Sequence, residues 1–157
     1  MARCRHFLPG FRATCLGVGG TFVLLAASQL AQGVPASMAG FGVPDVVLTS
    51  AHYKDAMTWV FTHMLVLGLI IGVVGYYAEG ARIRRAFARI TLACVAIFTV
   101  LDIHTSDSPL GNGLYAGARS LVPPVIDLIV ILLFAHLSFC KTASQAPAAP
   151  DTATSAG

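Results

Sequence analysis

Charge is what this sequence has least of: Asp, Glu, Lys and Arg make up 11% of 157 residues, against 56% hydrophobic residues. A water-soluble domain usually carries about 25% charged residues, so this chain cannot cover its surface with ions, and a bilayer is its natural solvent. The chemical signatures are missing as well. There is no Gly-x-Ser-x-Gly elbow, no phosphate-binding Walker loop, no dinucleotide fingerprint and no His-Glu-x-x-His pair, which removes the common hydrolase, nucleotide and zinc-protease readings. The four cysteines, Cys4, Cys15, Cys94 and Cys140, form no Cys-x-x-Cys, and neither Gly/Pro-rich loop holds one. A membrane thiol oxidoreductase needs reactive pairs at its oxidising face, so that class is excluded. The basic residues stand in clusters beside apolar runs, which marks topology and not a nucleic-acid surface; no nucleic-acid partner is expected.

What is present is long apolar stretches. Residues 1–12 are basic, with Arg3, Arg5 and Arg12, and residues 13–32 are apolar. Some 20 residues at 1.5 Å rise make about 30 Å, the thickness of a hydrocarbon core. The same stretch also fits a cleavable secretory signal, with a basic start, a short apolar core and small residues at Ser37 and Ala39. A Gly/Pro-broken loop follows, within which Asp45 to Leu48 suits a short interfacial turn. A second span over 57–77 is bounded by Trp59 and by Tyr76-Tyr77, aromatic anchors of the kind found at membrane interfaces. Gly68 and Gly72, with Gly75 a turn further, let a neighbouring helix come close. Packing inside the chain is the simpler reading of that face, and a homodimer seam the alternative. Spans over 87–104 and 120–139 follow, the last opening on Pro123-Pro124, which a first helical turn tolerates. Residues 141–157, rich in Ala, Pro, Thr and Ser, are expected to be disordered.

Arginine distribution orients these spans. The N-terminus and the connection holding Arg82, Arg84, Arg85 and Arg89 are basic, and Lys141 follows the last span. Lys and Arg remain cytoplasmic, so both termini are expected inside and the two Gly/Pro loops outside. The expected fold is therefore an all-α integral membrane protein: an antiparallel bundle of four transmembrane helices in residues 13–140, in the bacterial inner (plasma) membrane. If the first segment is cleaved, three spans remain and the loops keep their sides.

One polar constellation looks like a site. Ionised groups inside a span cost about 2.5 to 3.5 kcal/mol for Asp at the helix centre, so they persist with a partner or a task. Asp127 lies about two turns into the fourth span, His63 is about as deep in the second, and Asp102 is shallower in the third on one stripe with Thr91, Val95 and Thr99. His52, His104, Tyr115 and Arg119 are loop groups placed to close over them. Three readings compete. His63, His104, Asp102 and Asp127 are of the right types to hold a transition metal, and His63 with His104 to hold a haem. A buried Asp suits proton or substrate handling. In a purely structural role, Asp127 pairs with Arg119 or His63 while Asp102 caps its helix. Asp102 and His104, two residues apart, point about 200° apart on a helix, so both serve one site only where the helix ends between them. The leading expectation is an accessory or small-ligand-binding membrane component with an outward His/Asp pocket. Its alternatives are a metal- or haem-dependent redox enzyme and a proton-coupled transporter. Expected partners are the lipid bilayer and a second copy or a membrane-complex subunit.

Overall fold

In the computed structural model, which describes residues 8–106, 119 and 121–139, the chain is helical, with no strand among those residues. The helices are α1 (Phe11–Gln32), α2 (Val34–Ser37), α3 (Asp45–Leu48), α4 (Ala51–Tyr77), α5 (Ala81–Ser106) and α6 (Val122–Phe139). Four of them, α1, α4, α5 and α6, are long and apolar enough to cross a membrane. Large apolar side chains stand on the outside of all four, among them Leu24, Val73, Ile97 and Leu132. Water does not sustain apolar patches of that extent on a monomer; lipid does.

The second and third spanning helices begin earlier than hydropathy indicates. α4 starts at Ala51, six residues before Met57, because Ser50 caps it: its Oγ accepts the Tyr53 N–H at 3.3 Å and donates to the Val47 carbonyl at 2.8 Å. The polar run His52 to Asp55 is thus the first turn of a helix and not a loop. α5 likewise takes in the arginine run from Ala81, since arginine is a strong helix former and Gly80, at φ 81°, makes the turn that precedes it. The loop between α1 and α4 carries structure of its own. α2 and α3 fold it so that Val34, Met38 and Val43 pack with Met57 and Phe61 of α4 in a second apolar core. We expect Ser50→Ala, which removes the cap, to cost about 1 kcal/mol and lower the melting temperature by about 2–4 °C; an unchanged melting curve would show that the small core alone holds the helix start.

α1 and α4 meet backbone to backbone. A Cβ added to Gly19 would sit 2.6 Å from the Gly68 carbonyl and 2.8 Å from the Gly72 nitrogen; one added to Gly68 would meet the Gly19 carbonyl at 2.8 Å. One added to Gly75 would collide with Cys15. Residue numbers therefore fall along α4 as they rise along α1, and α1 occupies the glycine face within the chain. The other pair is α5 with α6, whose buried residues Ala88, Val95, Val130 and Phe134 belong to the main core together with Cys15, Val18 and Ile71. α1 also touches α6 and, through Phe11 against Phe87, the start of α5.

Candidate functional site

The site is built where α5 leaves the core. Ala88, Thr91 and Val95 recur every three or four residues and are buried, which fixes the face that α5 turns inward. Continuing the same spacing brings Thr99 and then Asp102, both half-buried, onto that face. On α6 the inward stripe runs Ser138, Phe134, Val130 and then Asp127, also half-buried. The two stripes are apolar over most of their length and polar at one end, so the polar ends meet. Thr99 Oγ1 donates to Asp127 Oδ2 at 3.1 Å, and Asp102 stands on the same inward face of α5 as Thr99. Two carboxyl groups and one hydroxyl therefore stand on the facing stripes of α5 and α6, about one to two turns from the helix ends.

Hydrogen counting sharpens this geometry. Thr99 Oγ1 also lies 2.9 Å from the Val95 carbonyl. A carbonyl only accepts, and a threonine hydroxyl has one proton but two lone pairs. With that proton on Val95, as is usual for a threonine inside a helix, the Asp127 contact is completed by a proton carried on the carboxyl. With the proton turned to Asp127, the carboxylate is the acceptor and Val95 loses its side-chain donor. The Thr99 hydroxyl can thus donate to either acceptor, and a proton on Asp127 would let both contacts be made at once.

The remaining residues that the sequence singles out lie elsewhere. His63 is exposed on α4, the helix that packs on α1. Its Nδ1 is 2.7 Å from the Trp59 carbonyl, which only accepts, so Nδ1 is the donor, and its ring is 5.5 Å from the Trp59 ring. His104 is exposed, because α5 continues unbroken through Ser106 and carries it away from Asp102. Arg119 is exposed and its N–H donates to the Gly40 carbonyl at 3.1 Å, tying the turn before α6 to the loop between α2 and α3. Tyr115 lies outside the described residues. Among the described residues no three His, Cys, Asp or Glu side chains gather as a metal site requires, so His63, His104, Asp102 and Asp127 do not form one ligand set. Thr99 is the site member that residue type alone did not mark: it stands on the correct stripe, and only the pairing of α5 with α6 brings it to Asp127.

No protein-family model, no curated protein and no solved structure matches this chain. The class the described residues define is that of a helical protein with four helices long and apolar enough to span a membrane and a Thr99–Asp127 hydrogen bond between two of them.

Proposed function

We propose that this chain is a small-ligand-binding component of the bacterial inner membrane, and that its ligand is a proton held by Asp102, Asp127 and Thr99. The observation that carries this is the Thr99 hydroxyl between Val95 and Asp127, with the half-buried Asp102 on the same face of α5. Carboxyls inside a span commonly serve proton relays, and this pair sits near one end of its helices, within reach of the aqueous phase. In the reading that fits the arginines best, four antiparallel spans put both termini in the cytoplasm and the carboxyl pair near the outer face. The two helix pairs, α1 with α4 and α5 with α6, supply bodies whose relative movement can change access to the pair, as in alternating access. His63 on its separate face is not needed for this reading.

The test is proton uptake by the full chain in proteoliposomes after an acid step, with a pH dye inside. Uptake above that of empty vesicles, saturating with the size of the step, is expected; uptake equal to that of empty vesicles at every gradient would overturn the transport form of the proposal. The companion readout is the carboxylic C=O band in infrared spectra across pH, where a band assigned to Asp127 by its loss in Asp127→Asn is expected.

Four spans also require that α1 stay with the folded protein. Gly19 and Cys15 of α1 are what Gly68 and Gly75 close against, so removing α1 would expose those glycines and Ile71 of the core. Intact-mass measurement of membrane-extracted protein is expected to find the α1 residues present; a product that begins after Ala39 would reduce the protein to three spans.

A further inference from the structure

We infer that the end of the molecule where α1 begins, α4 ends and α5 begins is a binding site for the headgroup of an anionic phospholipid. Five of the chain's ten Lys and Arg residues, Arg12, Arg82, Arg84, Arg85 and Arg89, gather there with Glu79 as the accompanying acid. Topology alone needs positive charge on that side of the membrane, but it does not need positioned guanidinium groups. Arg12 and Arg84 are positioned. The Arg12 guanidinium lies 4.3 Å from the centre of the Tyr76 ring, which in turn meets Tyr77 edge to face at 4.8 Å. Arg84 Nε donates to the Ala78 carbonyl at 2.9 Å, and its guanidinium lies 5.8 Å from the Phe11 ring. Phe11 is itself held edge-on by Phe87 at 6.2 Å.

Three helices thus contribute to one frame: α1 gives Phe11 and Arg12, α4 gives Tyr76 and α5 gives Arg84 and Phe87. A guanidinium has five N–H donors in a planar fork that matches a phosphate, and Ala78 takes one of those on Arg84. Arg12, Arg82, Arg84 and Arg89 are exposed. The surface next to the frame is apolar, with Tyr77, Ile83 and Ile90 exposed on α4 and α5. A free phosphate ion would use only the arginines. A phospholipid uses both parts, its phosphate on the guanidinium groups and its acyl chains along the exposed sides of α4 and α5. Basic clusters between spanning helices are suited to such headgroups.

The experiment is native mass spectrometry of the full chain released from mild detergent with graded phosphatidylglycerol or phosphatidylcholine. Phosphatidylglycerol is expected to bind at least about tenfold better. Each arginine near an anionic surface contributes about fivefold in affinity, so Arg12→Gln with Arg84→Gln should lower phosphatidylglycerol binding by about 25-fold, while Arg119→Gln, outside the frame, should leave it unchanged. Equal binding of the two lipids by the unaltered protein would overturn the inference without any variant. So would equal losses in the double variant and in Arg119→Gln. Competition by soluble glycerol phosphate at concentrations matching the lipid would show a free-phosphate site and overturn the lipid assignment.

Discussion

Alanine at Gly19, Gly68 or Gly75 lowers the melting temperature of the detergent-solubilised protein by about 3–10 °C, whereas alanine at Gly72 leaves it unchanged or slightly raises it. The first three changes add a methyl group where the facing atoms are the Gly68 carbonyl, the Gly19 carbonyl and the Cys15 Cβ. Backbone and Cβ atoms cannot swing aside as a long side chain does, so α1 and α4 must separate along their whole seam. Overpacking of this kind costs about 1–3 kcal/mol, and each kcal/mol is worth about 2–4 °C in a chain of this size. Gly19→Leu should exceed all of these, because Gly19 meets two glycines of α4 at once. Gly72 differs from the others. A Cβ there meets nothing within 4 Å, and alanine is the better helix former by about 1 kcal/mol. The contrast between Gly68 and Gly72, four residues apart on one helix, is the decisive part. Thermal melts followed by intrinsic fluorescence check it. Four equal responses would mean that the glycines act through helix propensity and not through backbone contact. A change of oligomeric mass in Gly68→Ala would instead place the seam between two copies.

Some of this architecture is open to inspection in the sequence because it follows from local spacing. The number of spans follows from apolar length, the tolerated prolines from their place in the first turn of α6, and the stripe Thr91, Val95, Thr99, Asp102 from the helical period. Each of these needs only one helix to be read. The pairing of helices is different. In water, the polar side of a helix shows which side faces inward, but in lipid the outward side is as apolar as the inward one, and hydropathy carries little information about partners. Equal depth of His63 and Asp127 was therefore consistent with one pocket, yet α4 packs on α1 and turns His63 outward, while α5 packs on α6 and joins Asp102, Thr99 and Asp127. The loop core was hidden for a second reason. Pro35, Gly40, Gly42 and Pro44 break every regular period, and the apolar residues among them, Val34, Met38 and Val43, find their partners Met57 and Phe61 only after the chain has turned back onto α4.

Asp127→Asn abolishes proton uptake and leaves the fold intact. Asparagine keeps the size and planarity of the protonated carboxyl, and its NH2 group can donate to Thr99 Oγ1 as the carboxyl proton would, while Thr99 goes on donating to Val95. The variant thus keeps both contacts made at once. Its melting temperature should stay within about 2 °C of the parent, equivalent to less than about 1 kcal/mol, and its proton flux should fall to that of empty vesicles. Thr99→Val keeps both carboxyls and the shape of the side chain but removes the hydroxyl that lies between Val95 and Asp127. It should retain uptake with an altered pH profile, which separates the role of Thr99 in positioning from that of Asp127 in binding. Asp102→Asn removes the second carboxyl from the inward face of α5, and its pH profile should become that of a single site. The opposite pattern, in which Asp127→Asn loses many degrees of stability and its flux equals that of the parent protein, would make the pair a device for holding α5 against α6. Stability and flux therefore have to be measured on the same preparation, because each proposal is rejected by the result the other expects.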